Sequence, residues 1–351
     1  MHYGGNVMDL QVMKRSDLSF FVEELIVNYP VEGVRRKEQS FVYGNIKSAD
    51  ELCLDFDCTA GPPKKYFLPP EETLLRFTTA PSHEVTPVIE SNPFILFGVH
   101  PYDLKAINQM DRIFADGVPD PHYLKRREAA LLIGVDPTRV APRAFWADME
   151  ADTISNGFDL MFTDMVESFI VEIGTEKGGD LLTQYGKVRP ATRDETRKRV
   201  KIRSQISNMC KKRSLTFPKR EIPQLLEHSA GSLFWEEKAG KCLSCGTCNL
   251  VCPTCYCFDV HDDMGLDLIN GERLRRWDGC LLQDFARVAT GENFRETRAS
   301  RYRHRFFRKG LYLFKVLDDV ACVGCGRCAS SCLPDIADPV DAFNRLKETE
   351  K

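Results

Sequence analysis

Over the first two hundred residues, apolar runs alternate with stretches in which apolar residues recur every three or four positions. Leu18, Phe21, Val22 and Leu25 fall at i, i+3, i+4 and i+7. That period predicts an amphipathic helix from Ser16 to Tyr29, with Ser16 as its N-cap. Phe94–Val99, Ala130–Val135 and Ser168–Ile173 read as buried strands. The first leads through His100-Pro101 into a helix from Tyr102 to Phe114, and the third is followed by Gly178-Gly179 and a further helix. Residues 30–60 read as short strands and turns, Pro62 to Pro70 as a turn-rich crossing, and Glu71 to Phe77 as the start of a new element. Strands alternating with helices predict a mixed α/β domain.

The pattern changes after residue 190. Thr192 to Arg213 is strongly basic and reads as a solvated helix face. Leu215 to Pro223 carries two prolines and reads as a linker, which divides the chain into residues 1–220 and 221–351. Beyond it the pattern is helical. Leu281, Leu282, Phe285 and Val288 predict an amphipathic helix over Gly279 to Ala289. Glu296 to Lys309 interleaves arginines with Tyr302, Phe306 and Phe307, and Asp338-Pro339 opens a final helix to about Lys347. The expected class is α+β: an N-terminal α/β scaffold and docking domain, then a mainly helical domain.

Composition narrows the function. A length of 351 residues suffices for two cores, and a formal charge of −3 argues against nucleic acid as the main partner. No apolar run reaches the length of a membrane span. Met1 to Leu10 lacks the basic region and apolar core of a signal peptide. Fourteen cysteines in such a chain imply a reducing, cytoplasmic setting and a role for most of them as ligands. Neither G-x-G-x-x-G nor G-x4-G-K-[ST] occurs, so no nucleotide site is signalled.

The cysteines fall into two runs. Cys242, Cys245, Cys248 and Cys252, followed by Pro253, have the spacing C-x2-C-x2-C-x3-C-P of a bacterial ferredoxin. Cys322, Cys325, Cys328 and Cys332 repeat it. Three thiolates at i, i+3 and i+6 wrap three irons of one cubane from a single tight loop. The glycines Gly246, Gly324 and Gly326 let backbone amides approach the sulfides. In two-cluster ferredoxins the fourth cysteine of each run ligates the other cluster. The expected ligand sets are therefore Cys242, Cys245, Cys248 and Cys332 for one [4Fe–4S] cluster, and Cys322, Cys325, Cys328 and Cys252 for the other. Zinc is the bland alternative, but its sites usually use two C-x2-C pairs separated by a spacer. Disulfides do not suit clustered C-x2-C runs without a secretory signal.

Other residues are less specific. Cys255, Cys257 and Cys280 read as buried thiols beside a cluster or as a candidate further thiol site, which lacks an obvious fourth ligand. Cys53 and Cys58 read as unligated. The arginines between Arg295 and Lys309 read equally as a solvated face or as charges that offset the clusters or dock an acidic partner, and only distantly as a nucleic-acid site.

Several stretches together resemble a known family. Cys242 to Asp259, Gly271 to Cys280, Arg298 to Phe307 and Cys322 to Cys328 resemble the beta subunit of cytoplasmic sulfhydrogenases and the dicluster electron-transfer subunit of anaerobic sulfite reductase. The likeness is close over the C-terminal third and looser through Pro63–Pro69, Phe97–Leu104 and Tyr123–Glu128. It implies a non-catalytic electron-transfer subunit between a flavoprotein subunit that binds NAD(P)H and a hydrogenase or sulfite/sulfur reductase subunit. The alternative is a stand-alone iron–sulfur redox sensor or structural module. Many family members have cysteines where this chain has Tyr102, Pro137, Ala144 and Trp146. Their joint absence implies loss of a whole extra cluster, and an N-terminal domain without a metal of its own. Cys332-Leu-Pro334 also departs from the family's Cys-Pro, with the ligand spacing intact.

Overall fold

A computed structural model describes residues 10–350. The stretch read for a targeting signal lies outside them up to residue 9. Among the described residues no helix is long and apolar enough to cross a membrane. The described strands are β1 (Leu10–Lys14), β2 (Val31–Lys37), β3 (Ser40–Asn45), β4 (Glu71–Thr78), β5 (Glu84–Pro87) and β6 (Phe94–Val99), then β7 (Ala130–Val135), β8 (Leu160–Asp164), β9 (Ser168–Ile173), β10 (Val188–Pro190), β11 (Phe258–Met264) and β12 (Asn270–Trp277).

Eight of them form one mixed sheet in the order β10-β1-β9-β8-β7-β6-β2-β3. Its centre, β2-β6-β7-β8, is parallel. Parallel strands are covered on both faces, which is why β6 and β7 read as unbroken apolar runs. Successive side chains of β9 serve two cores. Phe169 and Val171 pack in the core that holds Phe21, Val22 and Leu25 of the helix Arg15–Asn28. Ile170 packs with Val12 and Met165, against Ile202 of the helix Arg193–Cys210.

That second helix corrects the reading of a solvated basic face. Arg193, Arg197, Lys198 and Lys201 are exposed, but Arg199 is buried. It pairs with Glu172 of β9 and donates to Thr163 Oγ1 at 3.0 Å, while Arg203 meets Asp136 at 2.7 Å. The partners lie on or just after distant strands, so no local pattern announces them.

A second sheet, antiparallel in the order β11-β12-β4-β5, corrects the helical reading between the cysteine runs. Phe258 to Trp277 is a hairpin, and β12 pairs with β4 from nearly two hundred residues upstream. This sheet crosses the expected division at residue 220. Buried Glu72 of β4 fastens it, meeting Arg275 Nε at 2.8 Å and Arg126 of the helix Pro121–Ala129. Gly279 to Ala289 is not a helix but a series of turns. There Leu281 is buried in the same core as Cys242 and Cys248, and this packing overrides the helical period.

Helices cover the C-terminal part as expected. Phe234–Gly240, Arg298–Phe307 and Pro339–Thr349 bring Trp235, Tyr302, Phe306 and Phe343 into one aromatic core around the cysteine runs. The class is α+β, with an N-terminal mixed sheet and helices around the cysteines.

A buried ion pair at the second cysteine run also joins these parts. Arg327, between Cys325 and Cys328, makes two 2.6 Å bonds to the Asp103 carboxylate and donates to Thr59 O and Oγ1 at 2.8 Å each. Both partners are at most 2% exposed. Removing one partner of such a pair strands a buried charge, at a cost of about 3–5 kcal/mol. Asp103→Ala is therefore expected to destabilise the protein by about that amount, read as a lowered midpoint in denaturant unfolding.

Candidate iron–sulfur centre

The two cysteine runs fold alike. The residue before the second cysteine has positive φ in each: Ser244 at 53° and Gly324 at 67°. The residue after it, Gly246 or Gly326, lies at 72° or 82° and caps a one-turn helix that carries the third cysteine. The two short helices, Thr247–Leu250 and Arg327–Ser330, touch. In the first loop, Ser244 N–H donates to Cys242 Sγ at 3.4 Å. The second loop is pressed against the segment 143–146. A Cβ on Gly324 would come within 2.6 Å of Trp146 backbone atoms, and one on Gly326 within 2.6 Å of Arg143 C. Phe145 N–H donates to Gly324 O at 2.8 Å across this contact.

A partly enclosed cavity lies between the loops. Its walls include Cys322, Cys325 and Cys328 of the second run and Cys252 of the first, together with Arg305 and Lys309. All four thiols are buried or half-buried. Burial and the neighbouring Cys328 push the Cys322 thiol up to about 12. Cys252 is the exception: a hydrogen bond from Cys255 pulls it well below the usual thiol range against the cost of burial, with help from Lys309.

The first set is more open. Cys242 and Cys248 are buried, Cys332 is half-buried and Cys245 is exposed. Burial, with Cys328 and Cys332 nearby, pushes the Cys248 thiol up to about 12. Cys245 is lowered by the hydrogen bond it shares with Thr247 Oγ1 at 3.4 Å.

Buried cations surround these sulfurs. The helix Arg298–Phe307 continues into a π-helical turn, Arg308–Tyr312, which carries Lys309. π-helical turns recur at functional sites. Among the described residues, Arg301, Arg305, Arg308 and Lys309 bond to carbonyl, hydroxyl or sulfur atoms and to no carboxylate. Burial works against the charge of Arg305, yet Cys248, Cys328, Cys252 and Cys255 raise it well above the ordinary guanidinium range. Arg305 Nε and Arg301 Nε are buried without a partner. A buried cation requires a compensating anion. Two thiolate sets facing unpaired guanidinium and ammonium groups fit an anionic, sulfur-ligated cluster. Among the described residues no three His, Cys, Asp or Glu side chains converge tightly enough for a single metal ion. A cubane spreads its thiolates around a body of four irons and four sulfides, so wider spacing suits it.

Cys255, Cys257 and Cys280 form a shell. Asn249, 1% exposed, donates from Nδ2 to Cys280 Sγ at 3.4 Å and Cys255 Sγ at 3.5 Å. Cys257 lies beside Cys280, whose backbone amide bonds its sulfur. Buried Lys64 donates to Cys255 O at 2.8 Å and sits 4.2 Å over the Trp277 ring. Asn249 and Lys64 fall within stretches that carry the family resemblance, but nothing in their spacing marks either as a neighbour of the thiols. Cys53 is bonded to Asp55 O, but Cys58 reaches the second loop, with its Sγ 3.8 Å from Cys325 O. Burial pushes Cys58 up to about 11 while Arg327 opposes this. Tyr102, Ala144 and Trp146 pack together beside it in the same core, with the rings of Tyr102 and Trp146 stacked at 6.5 Å.

Residues 241–336 match a family described as a 4Fe–4S dicluster domain. Sulfhydrogenase 2 subunit beta of Pyrococcus furiosus is 31% identical over 318 residues, spanning 91% of this chain and 92% of that protein. The chain belongs to the sulfhydrogenase beta-subunit family. For this family member the dicluster match covers both cysteine runs, the hairpin between them and the cation-bearing helix, while the relative's likeness extends over the N-terminal sheet as well.

The close approach at Gly324 is testable. A side chain there meets both a left-handed backbone and the Trp146 main chain, so Gly324→Ala should cost about 3 kcal/mol or more. Gly231 serves as the control, because a Cβ placed on it would meet nothing within 4 Å. Gly231→Ala should change the unfolding midpoint little.

Proposed function

We propose that this chain is a non-catalytic electron-transfer subunit that holds two [4Fe–4S] clusters with crossed ligation. Cys242, Cys245, Cys248 and Cys332 hold one, and Cys322, Cys325, Cys328 and Cys252 the other. The cavity lined by Cys252 together with the three cysteines of the second run carries this reading. Bound clusters supply one-electron transfer at potentials set by charge, hydrogen bonding and exposure. The protein's part is positional and electrostatic. The loops fix the thiolates, Ser244 N–H donates toward sulfur, and Arg305 and Lys309 stabilise negative charge. Cys255, Cys257 and Cys280 form a hydrogen-bonded shell beside both sets.

The complex in this reading is a cytoplasmic multi-subunit oxidoreductase of the sulfhydrogenase or sulfite reductase type. Electrons pass between a flavoprotein subunit that binds NAD(P)H and a catalytic subunit. Membership in the sulfhydrogenase beta-subunit family supports it. The N-terminal sheet serves as scaffold and docking platform, with Tyr102 and Trp146 filling space beside the second loop.

Two measurements test the reading. Anaerobically purified protein should contain about eight irons per chain, by cubane stoichiometry, with matching acid-labile sulfide. Zinc without charge-transfer colour would refute it. Cys252→Ser should perturb the spectrum of the cluster held by the second run, although Cys252 belongs to the first. If that variant loses only the cluster on Cys242, Cys245 and Cys248, the crossed assignment is wrong.

A further inference from the structure

The two thiol sets differ in their access to solvent. Cys252, Cys325 and Cys328 are buried and Cys322 is half-buried, whereas Cys245 of the other set is exposed. Electron exchange between proteins requires close approach of their centres, so the loop around Cys245 is where the chain's surface lies nearest to a proposed ligand. That loop also has a distinctive surface. Leu243, beside Cys242, is 62% exposed, and Phe294 is 67% exposed. Single exposed apolar residues are ordinary, but these two belong to one structural unit. Arg301 joins them: Nη2 donates to Ser244 Oγ at 3.2 Å, and Nη1 donates to Arg295 O at 3.1 Å and to Glu296 O. Arg298 Nη1 completes the link with a 3.1 Å bond to Cys242 O.

Charge distinguishes this unit from the chain's other basic surface. Arg295, Arg298, Arg301 and exposed Lys241 have no carboxylate partner among the described residues, and their assigned side-chain bonds go to backbone or hydroxyl oxygens. The acids in the same unit, Glu292 and Glu296, are exposed, and Glu296 meets Arg301 through its carbonyl. Exposed Lys241 and Arg298 and half-buried Arg295 thus stand against two carboxylates at this surface, with Arg301 buried beneath them. On the helix Arg193–Cys210, by contrast, Arg199 and Arg203 are already neutralised by Glu172 and Asp136.

We propose that the surface formed by Lys241, Leu243, Cys245, Phe294 and Arg298 is the docking site for an acidic redox protein or subunit that carries its own one-electron centre. This rests on the electron-transfer reading above. The apolar pair supplies a dry contact, and the unpaired cations steer and orient a partner whose centre is ringed by carboxylates. The exchange would move one electron between the partner's centre and this chain, with no proton or bond change.

The test uses the full-length, iron-loaded chain and a small acidic plant-type [2Fe–2S] ferredoxin as the probe, with binding read by calorimetry. Wild type should bind at low salt, and affinity should fall as salt rises. Lys241→Glu/Phe294→Asp should weaken binding at least about tenfold with iron content unchanged, as expected for lost complementarity at an interface. Leu243→Asp provides a second single-site check. Arg197→Glu/Lys201→Glu, on the other basic surface, should leave affinity unchanged. No binding by wild type, equal losses in the two double variants, or preferential binding of a basic c-type cytochrome would overturn the proposal. Binding is measured without electron transfer, so the two readings separate. A chain that binds ferredoxin at this face but does not exchange electrons with it retains the docking site and loses the electron-transfer role.

Discussion

The buried Arg327–Asp103 pair fixes the second cysteine run against the N-terminal part of the molecule. Arg327 sits inside that run, yet all four of its strong bonds go to Asp103 and Thr59 of the N-terminal part. A guanidinium fork matches a carboxylate in two parallel bonds, which fixes orientation as well as distance. The cysteine loop is therefore held from outside itself. Gly324 and Gly326 allow the same loop to lie against the backbone of residues 143–146, where a side chain has no room. A ferredoxin-like loop alone would set ligand spacing, but here the N-terminal sheet sets where that loop stands.

The electrostatics around the cysteines are of a different kind. Arg327 is matched by a carboxylate, whereas Arg305 and Lys309 are buried and are not. Their charges are raised by the thiols beside them, against the penalty of burial. The arrangement is stable as a charged interior only when the sulfurs are anionic, which is their state as ligands. Binding a sulfur-ligated cluster and retaining buried cations are thus two sides of one balance. The two thiol sets also differ in access, with one buried or half-buried throughout and the other reaching solvent at Cys245, and that asymmetry gives the centre an inside and an outside.

Ligand chemistry and the local elements were legible in the order of residues. Cysteine spacing is a matter of three to ten residues, and a tight loop translates it directly into geometry, so both runs could be read. The central strands and the helices at Arg15–Asn28, Pro101–Ala115 and Pro339–Thr349 were legible for a similar reason: their apolar periods or caps are local. Whatever depends on distant partners was settled by the fold. The hairpin of β11 and β12 was read as helical because β4, the strand that stabilises it, lies nearly two hundred residues upstream. Leu281 and Leu282 have helical spacing, but packing against the first cysteine loop holds them in turns. Arg199 looked like one cation among many until Glu172 was placed beside it. Lys64, Asn249 and Cys58 have no spacing that marks them as neighbours of the thiols, and only the fold brings them to the cysteines. Short-range spacing fixes which atoms are available as ligands, whereas burial and charge pairing are properties of neighbours in space, and those neighbours exist only once the chain has closed on itself.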